Sequence, residues 1–150
     1  MCLKTIDKKT KKYTIGYKFF RRSNGKLLGS IFTKDGIMRV KNGKFLKIKN
    51  ESSYPIGEWI KDEEGKIKNS EGDEVHNRGF YFYSNKKDLK KSNPNPFRYF
   101  IDNDMAPTIC KIKVKNMVAS GTNIDGDRIG VAKDIFLIEE ISKPYQKDEF

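Results

Sequence analysis

Nowhere in the 150 residues does an apolar run approach the ~18–20 residues that a membrane-spanning helix needs. Cysteine is scarce: Cys2 and Cys110 are too few for a disulfide scaffold. The one histidine, His76, would give a zinc site only three scattered ligands even with both cysteines. No Walker loop, G-x-G-x-x-G or G-x-S-x-G element occurs, which argues against ordinary NTPase, dinucleotide and hydrolase chemistry. The opening stretch MCLKTIDKKTKK lacks the apolar segment of a signal peptide. These absences predict a cytoplasmic, single-domain protein with no cofactor, no metal and no catalytic residue, leaning away from an enzyme.

Aromatic residues are not scarce. They make up 12% of the chain, against 36% hydrophobic and 34% charged residues. Disordered chains are poor in aromatics, so a folded core is expected. The charge is unevenly spread. Residues 1–50 hold 15 basic side chains against Asp7 and Asp35, a net of +13, whereas residues 51–150 carry a net of −2. Such an asymmetry attracts phosphates or an acidic protein surface. Lysine-rich usage that merely keeps the chain in solution explains the same excess equally well at this point.

Residues 1–12 read as a flexible basic arm. From Tyr13 the pattern alternates, and Asn24-Gly25 then separates two strand-like runs, the strongest short-range hairpin signal. A two-residue loop sets Arg22 opposite Leu27 and Tyr17 opposite Phe32. Asn42-Gly43 repeats the device between Ile37–Lys41 and Lys44–Lys49, setting Val40 opposite Phe45 and Lys41 opposite Lys44. Glu58-Trp59-Ile60 reads as a short strand, and 61–77 as a mobile charged loop or protruding hairpin. Phe80 to Tyr83 places four aromatics in a row, so this strand is apolar on both faces and central. Ser84 reads as the N-cap of a short helix over 85–91. Phe97 to Ile101 reads as a brief strand or tucked loop.

Ile109 to Val118 alternates cleanly, with Cys110, Ile112 and Val114 on one side and Lys111, Lys113 and Lys115 as a comb on the other. Asp127–Ala132 and Asp134–Ile141 read as two further strands, and 143–150 as a loose tail. The fold class is therefore β-rich α+β: one domain of seven or eight short, strongly bent antiparallel strands with one or two short helices. Strands so short and numerous need a bent or closed sheet to keep their edges paired.

Chemistry has few candidates. Cys110 falls in an apolar row and reads as packed and inert. Cys2 would become an N-terminal nucleophile only after loss of Met1. Basic residues interleaved with aromatics are the remaining signal. Arg21, Arg22, Arg39, Lys41, Lys44, Lys111, Lys113 and Lys115 are the candidate anion-binding residues, with ring stacking on bases as the companion interaction. Zinc-finger, helix-turn-helix and RNP motifs are missing, so sequence-specific reading of DNA is not expected.

Met1-Cys2-Leu3-Lys4-Thr5 and Gly16-Tyr17-Lys18-Phe19, with Gly79-Phe80-Tyr81-Phe82 before a helix and the late Ile138-Glu139-Glu140-Ile141, resemble a set of small phage-type proteins. The resemblance implies a phage accessory setting in the host cytoplasm. There such a protein blocks a defence by binding a phosphate-rich target through its basic N-terminal face: nucleic acid, a nucleic-acid-handling complex such as a CRISPR effector, or a nucleotide second messenger. Gly79 to Ser84 is also similar to the Gly-Phe-Tyr strand of ADP-ribosyltransferase-like folds. That likeness implies an alternative cleft for NAD or a related nucleotide, formed by Tyr17, Arg78, Tyr81, Glu139 and Glu140. The family's Ser-Thr-Ser element has no counterpart in this chain.

Overall fold

The computed structural model describes residues 3–23, 26–28, 38–47, 54–62, 65–68, 74–88, 106–123 and 125–141. Cys2, the Asn24-Gly25 turn, Phe32, residues 89–101 and the tail from 142 lie outside them. The protein is a β-rich single domain, and among the described residues the helical part is one short turn, Lys86–Asp88.

The strands in chain order are β1 (Thr5–Ile6), β2 (Ile15–Ser23), β3 (Lys26–Leu28), β4 (Met38–Lys41), β5 (Lys44–Lys47), β6 (Trp59–Lys61), β7 (Lys66–Lys68), β8 (Glu74–Asn77), β9 (Phe80–Tyr83), β10 (Ala106–Thr122) and β11 (Arg128–Glu140). Nine of these form one antiparallel sheet, and β7 and β8 form a separate two-stranded ribbon. The main sheet closes on itself. β10 pairs with β2, β2 with β9, β9 with β11, and β11 again with β10. Closure gives each of these four strands a partner on both sides, β2 and β9 meeting at Tyr17 and Tyr83, the remedy expected for short strands. From β11 the sheet runs on through β6 and β4 to β5.

One ring fills the closed circuit. Phe82 is 1% exposed, and its side chain lies against Gly16 of β2 and Gly130 of β11. A Cβ at either glycine would sit 2.3 Å from a ring carbon, so the narrow interior requires glycine at both places. Tyr13 meets the same ring edge-on, with centroids 6.0 Å apart. Around it pack Phe20, Leu27, Ile60, Ile112, Ile135 and Leu137. A second cluster, Tyr83, Ile109 and Ile129, lies under Leu3, Tyr17, Phe19 and Tyr81. β11 is therefore buried on both faces from Ile129 to Ile135.

Where sequence reasoning reached the described residues, its registers hold: Arg22 faces Leu27, Val40 faces Phe45, and Lys41 faces Lys44. Asn42 and Gly43 both take positive φ, 51° and 74°, as a two-residue hairpin turn demands. β9 is central, between β2 and β11. Three readings need correction. The helix cap is Asn85, whose Oδ1 accepts the Asp88 N–H at 2.8 Å, one residue after the expected Ser84. The two last strands are one, β11, because the strand runs unbroken through Lys133-Asp134; its pairing with β10 shifts between Lys111 and Ile112, and again on β10 near Met117. There Asn116 takes φ 57° and the register slips between Met117 and Ala119, which bends β10 around the core.

The arm expected over 1–12 is joined to the body from Lys4 onward. β1 pairs with Thr122 and Gly121, and Asp7 accepts from Ser120 Oγ at 2.7 Å and from Arg128. The Arg128 guanidinium, with the Ser120 hydroxyl second, holds the Asp7 carboxyl down at about 2. The 61–77 stretch contains the ribbon: β7 pairs with β8, the Arg78 N–H extends that ladder by donating to the Gly65 carbonyl at 2.9 Å, and Arg78 Nη2 donates to buried Asp62 at 2.8 Å.

Candidate functional site: a cationic aromatic sheet face

Cross-strand register decides which side chains share a surface. Lys113 pairs with Phe136, Phe136 with Trp59, Trp59 with Val40, and Val40 with Phe45. One row thus crosses five strands, from β10 to β5. At about 4.8 Å per strand it is ~19 Å long. The neighbouring row runs from Lys115 through Asp134 and Lys61 to Met38. The alternate residues Ile112, Val114, Leu137, Ile135 and Ile60 face the core, so both rows lie on the opposite, outer side.

On this outer side the lysines sit against aromatic rings. The Lys115 ammonium is 4.1 Å from the Trp59 ring centroid, Lys113 is 5.1 Å from Phe136, and Lys61 is 6.0 Å from Phe45. Trp59 and Phe136 meet edge-on at 5.5 Å. Both are half-buried, whereas Phe45 is 59% exposed. Contacts of an ammonium with a ring at a wet surface are worth about 0.5–1 kcal/mol each. They are weak enough to be exchanged.

The acidic neighbours are accounted for. Asp134, between Lys115 and Lys61 in register, is buried and accepts from Asn116 Nδ2 at 2.6 Å. Glu139 stands opposite Lys111. Among the described residues the ion pairs Arg39–Glu58, Arg78–Asp62 and Arg128–Asp7 involve none of Lys61, Lys113 and Lys115. A cleft of about 670 Å³ opens at the Lys115 end of the face, and Lys12, Lys61, Lys133, Tyr13 and Asn116 are among its lining.

The eight expected anion-binding residues divide. Lys113 and Lys115 are exposed on the aromatic face, and half-buried Lys111 continues the comb beside them. Arg39 is paired with Ile60 in register and so lies on the core side. There it donates Nε and Nη2 to the two Glu58 carboxylate oxygens, both at 2.9 Å. Lys44 is exposed at the β4–β5 turn, opposite Lys41. Arg21 and Arg22 pair with Pro107 and Ala106, at the start of β10, four or more residues before the comb begins at Lys111; their side chains, and that of Lys41, lie outside the described residues.

The alternative cleft residues also separate. Tyr17 and Tyr81 pack in the second core cluster, and Tyr81 donates its hydroxyl to His76 Nε2 at 2.9 Å while His76 Nδ1 donates to the Asn77 carbonyl. Glu140 accepts from Thr108 Oγ1 at 3.0 Å. Arg78 holds Asp62 beside the start of β9, which pairs near Ala132, toward the other end of β11 from Glu139 and Glu140. Sequence reasoning missed Trp59, Phe136 and Lys61 as site residues. Their signal was the lone tryptophan two residues from a lysine, hence on one face of a strand, but that strand is too short for its partner to be foreseen. Cys110 is buried within the main core. No protein-family model, curated protein or solved structure matches the chain.

Proposed function

We propose that this chain is a non-enzymatic binding protein that grips a phosphate-rich target, nucleic acid or an assembly that displays it, through the outer face of β10, β11, β6, β4 and β5. In the phage-type setting its sequence resembles, such a grip would serve an accessory or inhibitory role against a host defence. The observation that supports the reading is the row of lysine ammoniums over Trp59, Phe136 and Phe45, on a face whose buried acid, Asp134, is hydrogen-bonded to Asn116. Lysines neutralise phosphates, and aromatic rings between them offer planes for bases. The N-terminal third contributes Val40, Phe45 and Lys12 to this surface, joined by lysines that come from β6 and β10.

The test is charge reversal. Lys113→Glu with Lys115→Glu should weaken binding of a labelled oligonucleotide at least tenfold in fluorescence anisotropy, with circular dichroism unchanged. Lys44→Glu, at the β4–β5 turn, serves as the control and should cost less than threefold. Equal losses from both would show that general charge, rather than this face, does the binding.

A further inference from the structure

Resting on that reading, we infer that the ligand is single-stranded nucleic acid, and that its bases stack on Trp59 and Phe136 after its phosphates draw Lys115 and Lys113 off the rings. In the free protein each ammonium occupies the space over a ring that a base would take, 4.1 Å above Trp59 and 5.1 Å from Phe136. A phosphate entering the Lys12, Lys61, Lys115 cleft competes for the Lys115 ammonium with full negative charge, against a ring that offers only its quadrupole. Once the ammonium moves, the plane beneath it is open. Base stacking on an aromatic ring outweighs a water-exposed ammonium–ring contact, so the exchange is downhill.

Duplex cannot use these planes, because its bases are already stacked and its edges alone face outward. The ~19 Å row fits a short single-stranded site, of the order of the ~4 nucleotides that a small sheet platform covers. The lysines are therefore caps as well as anion ligands. They keep the aromatic row in water until a polyanion arrives.

Trp59 is the one tryptophan in the chain, so its emission reports on this spot alone. Titration with dT12, rU12, a 12-base-pair duplex and heparin, followed by both Trp59 emission and anisotropy or competition, tests the exchange. Single strands of either sugar should quench Trp59 and bind at least tenfold tighter than duplex, whereas heparin should bind without the stacking quench. Trp59→Ala should weaken single-strand binding about tenfold and leave heparin unaffected, with Trp59→Phe recovering most of the loss. If strands and duplex bind alike with Trp59 emission unchanged, the stacking inference fails while the polyanion reading stands. If heparin and every oligonucleotide fail to bind, both fall.

Discussion

Substituting Gly130 by Ala tests the structural claim on which the site geometry depends, that one phenyl ring plugs the closed strand circuit. The new methyl would stand 2.3 Å from Phe82 Cζ and within 2.9 Å of two further ring carbons, where ordinary contact begins near 3.4 Å. The ring would have to move by about an ångström, yet the Gly16 backbone already packs against its Cδ2–Cε2 edge. Overpacking by one methyl in a site that cannot yield costs about 3 kcal/mol, the upper end of the usual range. Phe82→Leu alone removes ring volume and should cost about 2 kcal/mol. In the double variant the shorter side chain leaves room for the methyl, so the pair should cost about 2–3 kcal/mol rather than the ~5 kcal/mol expected of independent sites. Urea denaturation of the four proteins, with m-values compared, measures the cycle. Additive losses would refute the wedge, and with it the reason β2, β9, β10 and β11 close around a core this narrow.

Gly121→Ala should prise β1 from β10, since a Cβ there would lie against the Thr5 carbonyl oxygen at 1.8 Å; hydrogen exchange at the Lys4 and Thr122 amides should accelerate at least tenfold, the loss of about 1–3 kcal/mol locally. The Asp7 attachment should depend on acid. Its carboxyl is held near 2 when folded, below its ordinary value near 3.8, so its contribution is full above pH ~4 and disappears as pH falls through about 2. Asp7→Asn should abolish that part of the acid dependence in a stability titration monitored between pH 5 and 2. Tyr81→Phe removes the hydroxyl that donates to His76 Nε2, and leaving that buried nitrogen unpaired should cost about 1–2 kcal/mol by thermal melting.

Local chemistry made the hairpins readable. Asn42-Gly43 dictates a two-residue turn, and that turn fixes Val40 opposite Phe45 without any knowledge of the rest. The lysine comb was equally plain, since strict alternation separates Lys113 from Ile112 on any half-buried strand. What these residues face could not be read, because it depends on pairings across long stretches of chain: Lys113 with Phe136, Phe136 with Trp59. β11 looked broken because Lys133-Asp134 is polar. Its continuity depends on burial of Asp134 against Asn116, a tertiary hydrogen bond. Arg39 could have been assigned correctly. Once Val40 shares a face with Phe45, its neighbour Arg39 must take the other.

The salt dependence of single-strand affinity bears most directly on the outer face as a phosphate grip. With Lys61, Lys111, Lys113 and Lys115 engaged, the logarithm of the association constant for dT12 should fall against the logarithm of salt with a slope of about −3. Reversing Lys113 and Lys115 should flatten that slope to about −1.5. A slope near zero, or one that the two reversals leave unchanged, would contradict the account.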